Sequence, residues 1–129
     1  MTKIENSRIL VVDDDPLMRK YVCTVLSRLG VAECRDCADG VAALKEVASF
    51  KPDVVLTDIH MEPMGGLEFV RQLRESISIE LRKTRVIFMS ADSSKATLEE
   101  ALPLGTFGYI VKPPRPETLR SKLELALKA

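Results

Sequence analysis

Residues 8–16 read RILVVDDDP, an apolar run that ends in three consecutive aspartates followed by a proline. A short continuous apolar run is typical of a strand that is covered on both faces, as in a parallel sheet. Pro16 suits the first position of a helix, and Asp15 directly before it suits a helix cap. The carboxylates of Asp13 and Asp14 repel each other, and burying them is costly without a cation. The stretch therefore predicts a buried strand, a charged turn and then a helix.

The same alternation of strand and helix continues along the chain. Strands are predicted over 8–13, 31–38, 53–58, 85–90 and 107–112, and an amphipathic helix follows each of them, the fourth over 94–102 and the last over 116–129. The stretch ESISIELRKT (75–84) reads as a long connection, and Pro103 is expected to end or bend the fourth helix. Such alternation predicts an α/β fold, with a parallel sheet between helices on both faces and right-handed crossovers.

Length and composition indicate a globular protein. The chain has 129 residues, of which 46% are hydrophobic and 29% are charged, and we expect a single domain over 5–129 with no effector domain in this chain. Lys plus Arg equals Asp plus Glu at 19 each, a balance that argues against binding to nucleic acid or to a membrane surface. No apolar run approaches the span of a bilayer, and the N-terminal stretch MTKIENSR is too polar for a signal peptide. We therefore predict a cytoplasmic protein.

The three cysteines are Cys23, Cys34 and Cys37, and the last two form a C-x-x-C stretch, CRDC. An odd number argues against a disulfide framework. A structural zinc site needs four ligands, and only Cys23 and the single histidine, His60, could complete one. Residues three apart in a strand also face opposite sides of the sheet. We therefore interpret Cys34 and Cys37 as small buried strand residues rather than as a redox or metal pair.

Polar residues end most of the predicted strands, where an open parallel sheet binds its ligands. They are Asp13 and Asp14 after the first strand, Asp58 after the third, Ser90 after the fourth and Lys112 after the fifth. Asp36 or Asp39 ends the second strand, which we expect to lie too far out at the sheet edge. Crowded carboxylates need a cation, and their hard oxygens suit Mg²⁺. One carboxylate could attack phosphorus while a lysine neutralises the added charge, so the pattern predicts a metal-assisted phosphoryl acceptor.

Four stretches resemble, in order and spacing, the signature of receiver domains of two-component response regulators, chemotaxis regulators among them. They are ILVVDDD (9–15), DVVLTDIHMEPMGG (53–66), VIFMSAD (86–92) and GYIVKP (108–113). The resemblance covers almost the whole chain. It implies a flavodoxin-like (βα)5 three-layer sandwich with strand order 2-1-3-4-5. It also implies a signalling phosphoacceptor rather than a metabolic enzyme, with a sensor histidine kinase or a histidine phosphotransfer protein as the phosphoryl donor in a phosphorelay.

The resemblance also implies a role for each residue of the site. Asp58 would accept the phosphoryl group, and Mg²⁺, or Mn²⁺ in its place, would be held by Asp14, Asp58 and the backbone carbonyl of His60, with Asp13 acting through water. Lys112 would pair with the phosphoryl group, Ser90 and Tyr109 would be the switch residues, and Lys112-Pro113 would be a cis peptide. Each role is an expectation about geometry that the structure has to meet.

Two departures from the family pattern concern the rim of the site. In MEPMGG (61–66), proline is displaced to Pro63, and Gly65 stands where Asp or Asn is common, so we expect a more flexible loop with the added charge of Glu62 near the metal. We also expect His60 and Asp92, each two residues past a residue of the site, to flank the entrance. From there they would set how fast water attacks the aspartyl phosphate.

Two alternative functions stay open from the sequence. The altered loop allows a phosphorylation-independent, receiver-like interaction module. The stretch VVDDDP also fits the D-x-D of haloacid-dehalogenase-type phosphatases, with Asp13 as nucleophile and Asp15 as acid, although the later acidic pair of that family is missing. In many receivers the fourth helix, fifth strand and fifth helix form the output surface, which makes them the candidate surface for a homodimer or for an unidentified effector.

Overall fold

Five parallel strands form a single sheet in the order β2-β1-β3-β4-β5. The structure, a computed structural model, describes residues 2–91 and 95–128. The strands are β1 (Arg8–Val12), β2 (Glu33–Cys37), β3 (Val54–Thr57), β4 (Val86–Ser90) and β5 (Tyr109–Val111). The α/β class and the strand order predicted above are confirmed, because every strand pair is parallel and β1 lies between β2 and β3.

Helices cover both faces of this sheet. They are α1 (Pro16–Leu29), α2 (Gly40–Phe50), α3 (Gly66–Arg74), α4 (Ile79–Arg82), α5 (Lys95–Ala101) and α6 (Pro116–Lys128), with short 3-10 turns at Ile4–Asn6 and Leu102–Leu104. One apolar cluster joins α1 and α6 to the sheet, and another joins α2, α3 and the end of α5 to its other face. Along β1, Ile9 and Val11 belong to the first cluster, whereas Leu10 and Val12 belong to the second. This alternation explains why the strand reads as a continuous apolar run.

Aspartate side chains cap the first two helices. Asp15 caps α1, because its side chain accepts a hydrogen bond from the backbone N–H of Leu17 at 2.9 Å. The helix ends at Gly30, whose φ of 91° lies in the left-handed region that glycine tolerates best. Asp39 caps α2 in the same way, accepting hydrogen bonds from the N–H groups of Val41 and Ala42. The prediction that Asp15 is a cap rather than a metal ligand therefore agrees with its contacts.

The long connection over 75–84 is more ordered than its sequence predicts, because it contains the short helix α4, capped by Ser78. Arg74, at the end of α3, fastens this segment to the rest of the fold. Its guanidinium donates hydrogen bonds to the backbone carbonyls of Arg82 and Thr84 at 3.0 and 2.8 Å, and to those of Leu104 and Gly105 at 2.8 and 3.3 Å. The helix α5 ends at Ala101, before Pro103, as the proline predicts.

The edge strand β2 places Cys34 and Cys37 on opposite faces of the sheet, as its period of two requires. Cys34 packs against the first apolar cluster and Cys37 against the second. Both thiols are free and only half-buried rather than fully buried, because an edge strand is covered less completely than a central one. Within the described residues, no helix combines the length and the apolar character that crossing a bilayer demands.

Candidate functional site

Two aspartates lie side by side at the carboxyl edge of the sheet. Asp13 and Asp58 directly follow the neighbouring strands β1 and β3, in which Val12 is paired with Thr57. The hydrogen-bond ladder continues past the strand ends, since Asp58 N–H donates to the carbonyl of Val12 at 2.8 Å and Asp13 N–H donates to that of Cys37 at 3.1 Å. The parallel register itself therefore brings residues 45 positions apart in the sequence to one place.

Lys112 forms ion pairs with both carboxylates. It follows β5, and its backbone N–H donates to the carbonyl of Ser90 at 3.1 Å, which extends the pairing of β4 with β5. Its ammonium lies 2.9 Å from Oδ2 of Asp58 and also forms an ion pair with Oδ2 of Asp13. The Asp13 side chain is fully buried, and that of Lys112 is 11% exposed. One cation thus serves two carboxylates in a place from which water is largely excluded.

The second oxygen of each carboxylate is oriented by a backbone N–H. Asp13 Oδ1 accepts a hydrogen bond from Asp15 N–H at 2.9 Å, and Asp58 Oδ1 accepts one from Ile59 N–H at 2.7 Å. The hydroxyl of Thr57 also donates to the backbone carbonyl of Asp58 at 2.9 Å. Both side chains are therefore held in one orientation, as a site for electrostatic chemistry requires.

These contacts shift the pKa values of two groups. Burial raises the pKa of Asp13 above its ordinary value, although the hydrogen bonds from Lys112 and Asp15 oppose this shift. Burial by itself would lower the pKa of Lys112, but the contacts with Asp13 and Asp58 outweigh it and raise that pKa. The lysine therefore stays charged at neutral pH. An additional cation near Asp13 would stabilise the ionised form of its carboxyl group.

Asp13, Asp14 and Asp58 together could hold a metal ion. One carboxylate oxygen from each of them lies within 4.8 Å of the others. Asp14 is exposed to solvent, so the cluster opens outward on one side. Hard oxygen donors of this kind, with room left for water, suit a divalent cation such as Mg²⁺. The donor set therefore fits the metal that the sequence predicts.

The loop MEPMGG packs closely against the backbone that follows β3. A Cβ on Gly66 would lie 2.0 Å from the backbone oxygen of Asp58, and one on Gly65 would lie 2.7 Å from that of Ile59. The loop also docks on α2, where Gly40 N–H donates to the carbonyl of Met64 at 2.9 Å. Both glycines of the loop therefore allow a close approach between backbone segments.

The two prolines that flank the site are in cis peptides. Lys112-Pro113 is cis, which confirms the sequence-based expectation, and Glu62-Pro63 is cis as well, which was not predicted.

Arg19 supports the site and was missed by the sequence reasoning. Its guanidinium donates to the backbone carbonyl of Asp13 at 2.7 Å and to the Asp36 carboxylate at 2.9 Å. The signal available in the sequence was weak, namely an arginine one turn after the Asp15 cap. Asp36, expected to be too far out at the edge, thereby reaches the site through Arg19 rather than directly.

Comparison with known proteins agrees with this geometry. A family model described as the response regulator receiver domain matches residues 9–124. The chain belongs to the response regulator receiver family. This receiver domain is 35% identical over 121 residues to the chemotaxis protein CheY1 of Helicobacter pylori, which covers 93% of this chain and 96% of that protein. It is 34% identical over 120 residues to the chemotaxis protein CheY-3 of Vibrio cholerae, covering 93% and 91% of the two chains.

Solved structures show the same architecture. The chemotaxis response regulator CheY4 of Vibrio cholerae superposes on this receiver domain with a TM-score of 0.83 at 31% identity, over 95% of this chain and 99% of that one. The predictions of a receiver domain and of a flavodoxin-like fold are thereby confirmed.

The remaining predicted residues of the receiver site lie around this centre. Ser90 is buried at the end of β4, which lies between the strands that Asp58 and Lys112 follow. Tyr109 begins β5, where it is paired with Phe88, and is half-buried against the second apolar cluster. His60 is exposed and lines a groove with Asp14, Glu62 and Gly65. Asp92, the other predicted rim residue, lies outside the described residues.

Proposed function

We propose that residues 5–129 act as one receiver domain that accepts a phosphoryl group on Asp58 and serves as a switch in two-component phosphorelay signalling. The donor is the phosphohistidine of a sensor histidine kinase or of a histidine phosphotransfer protein. The observation that carries the proposal is the contact of 2.9 Å between Lys112 Nζ and Asp58 Oδ2, beside a cluster of three carboxylates. Membership of the receiver family supports it independently.

The proposed reaction is a direct phosphoryl transfer. A carboxylate oxygen of Asp58 attacks phosphorus, the phosphorus–nitrogen bond breaks, and its electron pair leaves with the imidazole, which takes up a proton. Lys112, which already contacts Asp58, then faces the new phosphoryl oxygens with its positive charge. The fixed orientation of Asp58, set by Ile59 N–H, lowers the cost of aligning the nucleophile.

We propose Mg²⁺ as the metal, held by Asp14, Asp58 and the backbone carbonyl of His60, with Asp13 acting through water and Mn²⁺ as a substitute. The hard-oxygen donor set supports this choice. A bound Mg²⁺ supplies charge that stabilises the phosphoryl oxygens during transfer. Asp13 is fully buried and shares one lysine with Asp58, so a further cation would stabilise its carboxylate.

The switch is proposed to run through Ser90 and Tyr109. Ser90 ends β4, the strand between β3 and β5, and its buried position at the carboxyl edge supports the proposal that its hydroxyl donates to a phosphoryl oxygen. Tyr109 then moves inward and repacks the surface formed by α5, β5 and α6, which shifts an existing two-state equilibrium. That surface is the candidate binding site for an effector or a second copy of the chain.

Beryllofluoride binding and phosphorylation by acetyl phosphate, each with Mg²⁺, test the proposal. We expect Mg²⁺-dependent binding of beryllofluoride and a covalent phosphoryl group on the parent protein. Both should be absent from the Asp58→Asn variant and after removal of Mg²⁺ by a chelator. Asp15→Asn is the matched control, because an asparagine keeps the helix cap and Asp15 has no proposed role in the chemistry.

The outcomes separate the alternatives. A parent protein that binds no beryllofluoride and takes up no phosphoryl group would leave the phosphorylation-independent interaction module. Turnover of small phosphate esters that survives Asp58→Asn but is lost in Asp13→Asn would instead indicate a phosphatase.

We further propose that His60 and Asp92 tune the lifetime of the phosphoryl group. The exposed position of His60 on the rim groove, next to Asp14, supports its part of the proposal. The hydrolysis rate of the aspartyl phosphate should change in His60→Asn and in Asp92→Ala. Rates equal to the parent's in both variants would contradict the idea.

A further inference from the structure

Cys23 and Cys34 form a close pair of thiols. Their sulfur atoms are 3.1 Å apart, and both cysteines are free and half-buried. A disulfide has a sulfur–sulfur bond of about 2.05 Å, so closing it asks for a movement of only about 1 Å. Cys37, the second cysteine of the C-x-x-C stretch, lies on the other face of β2 and does not belong to this pair.

The position of the pair follows from how α1 packs on β2. On α1, Cys23 stands one turn after Arg19, and on β2, Cys34 stands two residues before Asp36 on the same face. Arg19 contacts Asp36 at 2.9 Å, and Cys23 contacts Cys34 at 3.1 Å. The two contacts are therefore neighbours along the interface between α1 and β2. A disulfide between Cys23 and Cys34 would lie next to Arg19, which donates a hydrogen bond to the carbonyl of Asp13.

Cys23 faces a groove that a small oxidant can enter. The groove is open and has a volume of about 560 Å³, and its walls also carry the basic side chains of Arg19, Lys20 and Arg28. The hydrogen bond from Cys34 lowers the pKa of Cys23, although burial and the nearby Asp36 oppose this, and the same bond raises the pKa of Cys34. Because a thiolate is the reactive form, Cys23 is suited to attack and Cys34 to resolve the product.

We propose that Cys23 and Cys34 are a redox modification site that a peroxide converts to an intramolecular disulfide between α1 and β2. The Cys23 thiolate attacks one peroxide oxygen and displaces hydroxide, which gives a sulfenic acid. The sulfur of Cys34 then attacks that of Cys23, the sulfur–oxygen bond breaks, and water leaves with the proton of the Cys34 thiol. In total, two thiols are oxidised by two electrons, and one peroxide is reduced to two waters.

Trypsin gives a direct test, because cleavage after Lys20, Arg28, Arg35 and Lys45 places each cysteine on its own peptide. The reduced full chain is treated with hydrogen peroxide, its remaining thiols are alkylated, and it is digested without reductant for mass spectrometry. We expect peptide 21–28 linked to peptide 29–35, with the Cys37 peptide 36–45 alkylated. Dithiothreitol should release the linked pair.

Matched variants locate the bond. Cys37→Ser should keep the link, whereas Cys23→Ser and Cys34→Ser should each lose it. A link that involves peptide 36–45, links only between chains, or oxidation of Cys23 beyond the sulfenic acid without any link would overturn the proposal.

Urea unfolding gives a second readout that does not depend on mapping. In Cys37→Ser, the oxidised form should unfold at a higher urea concentration than the reduced form, because the bond constrains the unfolded chain. The same treatment should not raise the midpoint of the variant that carries both Cys34→Ser and Cys37→Ser. Equal midpoints for oxidised and reduced Cys37→Ser would contradict a bond that fits the native fold.

Discussion

Lys112 and Arg74 are cations at opposite edges of the sheet, and their partners differ in kind. At the carboxyl edge, Lys112 contacts the charged oxygens of Asp13 and Asp58. At the amino edge, Arg74 donates to neutral backbone carbonyls that precede β4 and β5, among them that of Thr84. Carboxylate contacts raise the pKa of Lys112, whereas burial lowers the pKa of Arg74.

This difference distinguishes the proposed chemical role of Lys112 from the structural role of Arg74. The partners of Lys112 are ionised groups that a phosphoryl group can join, so its charge is available to the reaction. The partners of Arg74 are backbone carbonyls at the end of α4, at the end of the second 3-10 turn and in the segments that lead into β4 and β5, so its hydrogen bonds hold those segments in place. We therefore expect changes at the carboxyl edge to act on phosphorylation and changes at the amino edge to act on stability.

The largest effect is expected at Gly66, beside Asp58, when compared with Gly105 at the other edge. In Gly66→Ala the new Cβ would lie 2.0 Å from the backbone oxygen of Asp58, which cannot move without moving the proposed acceptor. We expect a loss of about 3 kcal/mol in the free energy of unfolding, measured in urea, and weaker phosphorylation. Gly105 has a φ of 66° and open space around it, so Gly105→Ala should cost only about 1 kcal/mol. Equal losses would contradict the comparison.

Lys112→Met should lower the rate of phosphorylation by acetyl phosphate by about 100-fold, because the developing charge loses its cation. Such a decrease corresponds to about 2.7 kcal/mol of transition-state stabilisation. The far-ultraviolet circular dichroism of the variant should stay close to the parent's, which shows that the fold persists. Lys112→Arg keeps the charge but not the shape of the ammonium, and we expect it to be intermediate. A parent-like rate in Lys112→Met would remove the lysine from the proposed chemistry.

Arg74→Ala should reduce the free energy of unfolding by about 2 kcal/mol, because several carbonyls lose their donor at once. Its rate of phosphorylation, measured well below the unfolding transition, should match the parent's. Arg71 on the same helix is the control, since its exposed contacts with Glu68 and Glu100 are at 3.5 and 4.0 Å. We expect Arg71→Ala to cost less than about 0.5 kcal/mol. Equal decreases in the free energy of unfolding would mean that the hydrogen bonds of Arg74 do not stabilise the amino edge of the sheet.

The smallest effect is expected at Asp15, which lies next to the site and whose side chain caps the start of α1. Asp15→Ala should cost about 1 kcal/mol in the free energy of unfolding through loss of the cap, and Asp15→Asn should cost little. Neither change should alter the Mg²⁺ concentration that half-saturates phosphorylation. A clear shift in that concentration would mean that Asp15 takes part in metal binding after all.

The sequence by itself determined most of the strands and helices and which polar residues follow each strand. A continuous apolar run, a proline at a helix start and a cap before it are local signals, because they depend on residues within one or two turns of each other. They predicted β1, the cap by Asp15 and the convergence of Asp13, Asp58 and Lys112, since parallel strands bring their carboxyl ends to a common edge. The resemblance in the order of four motifs added the family, the strand order and the cis peptide at Pro113.

Only the tertiary structure decided the contacts that cross between elements. The support of Asp13 by Arg19, the carbonyls gathered by Arg74 and the approach of Cys23 to Cys34 leave no period and no motif in the sequence. The same is true of MEPMGG, where the two glycines allow the loop to pack against the backbone of Asp58 and Ile59. Such contacts depend on how a helix is rotated on its sheet, which is set by packing of the whole core rather than by any local stretch.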